Sequence, residues 1–179
     1  YLLSTKELFT IAADKPLYFE ALVQYAEANT DDANVYIGLM DAIAADALVD
    51  NGGGPKTSGS HLGFYKIDGG TQWNSHVSLS TTQVSTLLSA TNSLNKLGQT
   101  AGGTTGGPNG DGYHKFGINV QPYSSTNAFV NFFINDIHVD RRDWVYTSVT
   151  DMMVGVGVKA GGANSEVVLV DYIYCERLR

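Results

Sequence analysis

Alternation of apolar and polar side chains at every second residue is the feature that most limits how this chain can fold. In LYFEALVQYAEA (17–28), Leu17, Phe19, Ala21, Val23 and Tyr25 share one parity, and Tyr18, Glu20, Leu22 and Gln24 share the other. A period of two puts these sets on opposite faces of a strand. ANVYIGLMDA (33–42) follows the turn-forming Asn29-Thr30-Asp31-Asp32, so the two segments read as a hairpin. HLGFYKID (61–68) and QWNSHVSLS (72–80) flank Gly69-Gly70-Thr71, a tight-turn signal. VSTLLSAT (84–91), YHKFGINVQPY (113–123) and FVNFFINDIHV (129–139) read as further strands, as do MMVGVGVKA (152–160) and EVVLVDYIYCERLR (166–179), joined through GGANS (161–165).

The exceptions are few. AIAADALVD (42–50) is Ala-rich and closed by NGGGP, which predicts one or two helical turns. LGQTAGGTTGGPNGDG (97–112) holds seven Gly and one Pro, cannot build a core and reads as an exposed loop. DRRDWVYTSVT (140–150) reads as a connection anchored by Trp144, with Asp140 and Asp143 charge-paired to Arg141 and Arg142. Many strands with short connections and almost no helix call for an all-β, antiparallel two-sheet sandwich. With 179 residues, the chain forms one domain, residues 1–179. Residues 1–12, opening on the apolar Tyr1-Leu2-Leu3, read as a docked N-terminal arm or edge strand.

Charge removes several function classes. Only 11 Lys and Arg face 18 Asp and Glu, a net charge of −7. The basic residues form no broad patch, which argues against a nucleic-acid backbone or an anionic membrane as partner. The single cysteine, Cys175, has no second thiol for an internal disulfide and reads as a core thiol.

The order of elements resembles the concanavalin A-like jelly roll of legume lectins, laminin G domains and many glucanases. VYIGLMDA with its Gly loop, HLGFYKIDGGTQW, and the closing FVNFFINDIHV and VDYIYCERLR carry the likeness. Within that fold the pattern is most similar to structural proteins of tailed bacteriophages, of the capsid decoration or fibre type. The resemblance implies a virion surface protein without enzyme activity, assembled in the host cytoplasm. It would act through interfaces with the major capsid protein, other virion proteins and further copies of itself. Tyr1, Leu2, Leu3 and Leu8 would supply the docking arm.

The residues offer little catalytic chemistry. A retaining glycosidase needs two carboxylates flanking the bond it cleaves. None of Glu7, Glu20, Glu27, Glu166 and Glu176 has an acidic partner two residues away. His61, His76, His114 and His138 form no metal-ligand spacing. No catalytic or metal-binding residue is therefore assigned, and no cofactor is implied. The one ion the residues admit is calcium on oxygen ligands from Asp31, Asp32, Asn109 and Asp111. The alternative function is glycan binding through an exposed aromatic hairpin, with Trp73, Asn74 and His76 beside Tyr65. FVNFFINDIHV is apolar on both parities through Ile134, so it reads as a covered central strand or a partner-facing one. Asn135-Asp136 reads as a tight turn, and the whole stretch as scaffold.

Overall fold

The computed structural model describes residues 2–3, 9–26, 33–41, 47–49, 53–56, 58–70, 72–88, 113–146, 151–161 and 166–178. In chain order the strands are β1 (Leu2–Leu3), β2 (Leu17–Ala26), β3 (Ala33–Met40), β4 (Leu48–Val49), β5 (Gly54–Pro55), β6 (His61–Lys66), β7 (Asn74–Leu79), β8 (Thr82–Leu87), β9 (His114–Pro122), β10 (Asn127–Ile134), β11 (Ile137–Val145), β12 (Met153–Ala160) and β13 (Val167–Arg177). One sheet has six strands in the order β1-β12-β3-β6-β7-β8, and the other has five in the order β11-β10-β9-β2-β13. β4 and β5 form a small hairpin of their own.

The core is where the inward parities of the two sheets meet. Leu17, Phe19, Ala21 and Val23 of β2, Phe116, Ile118 and Val120 of β9, and Val130, Phe132 and Ile134 of β10 face Val35, Ile37, Leu39, Leu62 and Phe64 of the six-stranded sheet. All of these are buried. Removing this much apolar surface from water is the main stabilising term, at about 25 cal/mol per Å2.

The Asn135-Asp136 turn forms as its residues require. Both adopt left-handed backbone, with φ of 51° and 65°. Asn and Asp tolerate that region, and it gives the twist that a two-residue hairpin needs. Lys115 N–H donates to the Asn135 side-chain oxygen at 2.9 Å, which ties the turn to β9.

Four expectations are corrected. β2 and β3 lie in opposite sheets rather than in one hairpin, and so do β12 and β13. Alternation reports which face a residue takes but not which strand it pairs with, so a connection that crosses the sandwich looks like a hairpin. Residues 140–145 continue β11. Trp144 still anchors the segment, because its indole N–H donates to Ser78 O at 3.1 Å. Leu48–Val49 are strand rather than helix; Leu48 is buried with Tyr36 and Met40 on the outer face of the six-stranded sheet. Residues 42–46 and 50 of that expected helix lie outside the described residues.

Gly63 on β6 is required by its neighbour. A Cβ there would lie 2.6 Å from the Tyr36 ring and 2.8 Å from Ile37 O. Gly63→Ala should therefore destabilise the fold by about 1–3 kcal/mol through overpacking. A thermal melt checks this; an unchanged midpoint would mean that the Tyr36 ring swings aside freely.

Candidate ligand-binding site

The outward parity of the five-stranded sheet brings together residues distant in sequence. Register sets Glu20 of β2 beside Gly117 of β9, and Gly117 beside Phe133 of β10. Tyr18 lies beside Asn119, Leu22 beside Lys115, and Tyr174 of β13 beside Glu20. Gly117 leaves the floor open between larger neighbours, since a Cβ there would sit 3.4 Å from Phe133 Cβ and 3.7 Å from the Tyr18 hydroxyl. The result is an open recess of about 200 Å3 lined by Tyr18, Glu20, Lys115, Gly117, Asn119, Phe133 and Asp136.

Glu20 is the centre of its polar network. Tyr18 O–H donates to Glu20 Oε2 at 2.5 Å, and Tyr172 O–H donates to Oε1. Lys115 Nζ lies 3.7 Å from Glu20 Oε2 and 2.6 Å from Asp136 Oδ1. These contacts shift the donors. Burial and then the Glu20 hydrogen bond hold the Tyr18 phenol well above its ordinary range. The Glu20 hydrogen bond, followed by burial, raises Tyr172. The Asp136 contact raises Lys115. Both tyrosines thus stay protonated donors and Lys115 stays a cation at neutral pH. Tyr174 adds a second aromatic ring 6.4 Å from Tyr18, its hydroxyl donating to Glu176 at 2.6 Å.

This arrangement suits a polyhydroxylated ligand. Carboxylate and amide oxygens accept from vicinal hydroxyls, a lysine donates, and half-exposed rings cover C–H faces. Its two carboxylates, Glu20 and Asp136, come from separate segments and converge on one ammonium group, so no short acidic motif could have revealed them.

The residues singled out from the sequence fall elsewhere. Trp73 is fully buried, with its ring 4.8 Å from that of Phe116 in the core, which corrects the expected exposed aromatic hairpin. The physical reason is parity: Trp73 enters the sandwich just before β7, while Asn74 and His76 take the outer face of the six-stranded sheet. There the β4–β5 hairpin packs on Tyr65, whose ring lies 5.5 Å from that of His76; a Cβ on Gly54 would lie 3.0 Å from the Tyr65 ring. Asn74 and His76 are buried and Tyr65 is half-buried, so no open aromatic surface remains.

Beside them His61 and Ser78 form a closed polar cluster. His61 Nδ1 and N–H both lie 2.9 Å from Ser78 Oγ, and Ser78 donates onward to Gly59 O at 3.0 Å. Burial lowers the His61 pKa, against a raising effect from Asp41. His76 is pushed down to about 3 by burial and then by His61. This cluster ties loop to sheet and leaves Ser78 fully committed.

Leu2 and Leu3 form β1, paired with Val156 and Gly155 of β12, while Tyr1 and Leu8 lie outside the described residues. The calcium candidates Asp31, Asp32, Asn109 and Asp111 also lie outside them. Among the described residues, no three His, Cys, Asp or Glu are grouped to hold a metal. Cys175 is half-buried against the core, and burial followed by Glu176 pushes its thiol up to about 12.

The sequence matches no protein-family model, and no curated protein matches it. A solved structure does share its fold. The endo-1,3-beta-glucanase from Streptomyces sioyaensis superposes with a TM-score of 0.58 at 14% identity, over 98% of this chain and 69% of that one. An endo-beta-1,4-glucuronan lyase from the fungus Trichoderma reesei gives 0.43 at 12% identity, over 82% and 58%. The ancestral congerin Con-anc gives 0.38 at 8% identity, over 94% and 95%. The fold is therefore the two-sheet jelly roll that the strand order resembled. None of the three ties it to virion proteins. The expectation of a chain outside the enzymes is corrected to this extent: the fold shared along 98% of this chain is one that an endo-1,3-beta-glucanase uses.

Proposed function

We propose that this chain is a carbohydrate-recognising jelly-roll domain whose glycan site is the Glu20 recess on the outer face of the five-stranded sheet. The observation that carries this reading is the Glu20 carboxylate, held by the Tyr18 and Tyr172 hydroxyls beside the open ring of Phe133. The two tyrosines and Lys115 hold the acceptor in place before a ligand arrives, which reduces the ordering cost of binding. The Phe133 ring then offers an apolar face and Asn119 a neutral amide. The likeness to a 1,3-β-glucanase makes soluble β-1,3-glucan the first probe.

The test is a titration of β-1,3-glucan oligosaccharides alongside a glycan array, with reducing ends followed in the same samples. Glu20→Gln should weaken binding by roughly 10- to 100-fold, the loss of a charge-assisted hydrogen bond worth about 1.5–3 kcal/mol. Phe133→Ala should weaken it comparably, and Val84→Ser on the other sheet should not. Reducing ends released by the parent chain but not by Glu20→Gln would extend the reading to hydrolysis. A silent array, or binding indifferent to Glu20 and Phe133, would sink it.

A further inference from the structure

We propose that the ligand of the Glu20 recess is a neutral polysaccharide lying along β9 and β10, with Tyr123, Phe129 and Arg141 as a second subsite for the same chain. This rests on the glycan reading above and adds the class of glycan: a polymer gripped along several sugar residues, not a single terminal sugar.

The outward parity of β10 carries Phe129, Asn131 and Phe133, all half-buried. Phe133 lines the recess. Phe129 stands four residues along the same strand, about 13 Å away at the usual rise per residue. Its ring is held from both neighbouring strands. The Tyr123 ring, just past the end of β9, lies 4.4 Å from it with the planes 31° apart. The Arg141 guanidinium, from β11 on the other side, lies 3.6 Å from the ring centroid. Tyr123 is 52% exposed and Arg141 is exposed, so the stack fixes a ring and a fork of N–H donors at the surface.

Amides fill the space between the recess and this stack. Asn119 of β9 stands directly opposite Asn131, and Gln121 opposite Phe129. Arg141 faces Asn131 from the other side. β9 and β10 are inner strands of their sheet. Asn is a poor strand former, so a facing Asn pair in two inner strands is not explained by the needs of the sheet. Side-chain amides donate and accept at once, which matches a row of hydroxyl groups.

Charge selects a neutral chain. Lys115 is shared between Glu20 and Asp136. Asp143 is the next outward residue after Arg141 on β11, and both are exposed. Each cation on the face therefore has acidic company, and the whole chain carries a net charge of −7. A polymer rich in carboxylates or sulfates would meet repulsion here.

The experiment is calorimetric titration with β-1,3-linked gluco-oligosaccharides, from disaccharide to hexasaccharide, and with an oligouronate of equal length. Parent affinity should rise with chain length. Tyr123→Ala, Phe129→Ala and Arg141→Ala should each weaken the hexasaccharide by roughly tenfold and the disaccharide far less. Phe129→Tyr, which keeps the ring under Arg141, should hold the parent's affinity. Glu20→Gln should weaken every length. Affinity independent of length, or a hexasaccharide indifferent to Tyr123→Ala and Arg141→Ala while Glu20→Gln still weakens it, would overturn the second subsite and leave the recess standing. Tighter binding of the oligouronate would overturn the neutral class. Binding at no length would remove the recess and this extension together.

Discussion

Trp73→Ala should lower the unfolding free energy by about 3–5 kcal/mol, the usual cost of truncating a buried aromatic to alanine. Trp73 has 0% exposure, and its ring begins a chain of aromatic contacts through the core. It lies 4.8 Å from Phe116, Phe116 lies 5.2 Å from Phe64, and Phe64 lies 5.2 Å from Phe132. Phe64 belongs to the six-stranded sheet and Phe116 and Phe132 to the other, so the chain of rings ties the two layers together. The Trp73 carbonyl also accepts from Leu88 N–H at 2.8 Å, which fixes the ring's entry point. A domain of this size has about 5–15 kcal/mol in total, so the variant loses a third or more of it unless the parent lies at the top of that range. Urea unfolding followed by circular dichroism measures it. Phe133→Ala, which removes a half-exposed ring, should cost far less. An unchanged midpoint for Trp73→Ala together with lost glycan binding would place the indole on the surface and restore the hairpin site.

The contrast between Trp73 and Phe133 shows what the sequence could and could not say. Parity in LYFEALVQYA assigned Leu17, Phe19, Ala21 and Val23 to one face and Tyr18 and Glu20 to the other, and the structure buries the first set and leaves the second half-open. That is a local property, because successive Cβ atoms alternate whatever the strand's neighbours are. Which strand lies beside which is not local. Glu20 meets Phe133 only because β9 separates β2 from β10 and contributes Gly117 between them. The stretch FVNFFINDIHV was legible as a strand and a tight turn. Its outward Phe133 and turn residue Asp136 looked like scaffold because Lys115 and Glu20, which give them a role, lie far away in sequence. Trp73 misled for a related reason. Grouping it with Asn74 and His76 passes over the parity it shares with Val77, and which parity the other sheet covers is not a local property. The outward residues Tyr18, Glu20, Lys115, Asn119 and Phe133 did carry a usable signal: polar and aromatic groups at the outward parity of strands otherwise rich in core residues.

Acid should weaken the fold, and His76 should account for the largest share attributable to one residue. Its side chain is fully buried between His61, 5.8 Å away ring to ring, and Tyr65, 5.5 Å away. Burial, and after it the neighbouring His61, pushes its pKa from an ordinary 6.5 down to about 3. The unfolded chain therefore binds a proton between those values while the folded chain does not. The sign follows: the contribution is fully present above pH 6.5 and is lost as pH falls toward 3. A shift of that size corresponds to about 5 kcal/mol at most. His61, also lowered by burial, acts in the same direction, with Asp41 opposing and Lys56 assisting. Protonating His76 would set a charge beside Tyr65, on which the β4–β5 hairpin packs, so that cover should open before the sandwich does. Unfolding midpoints in urea between pH 7 and pH 4 measure the slope, and His76→Gln, which cannot titrate, should flatten it. Parallel slopes for the parent and His76→Gln would show that His76 keeps an ordinary pKa and that the acid sensitivity lies elsewhere.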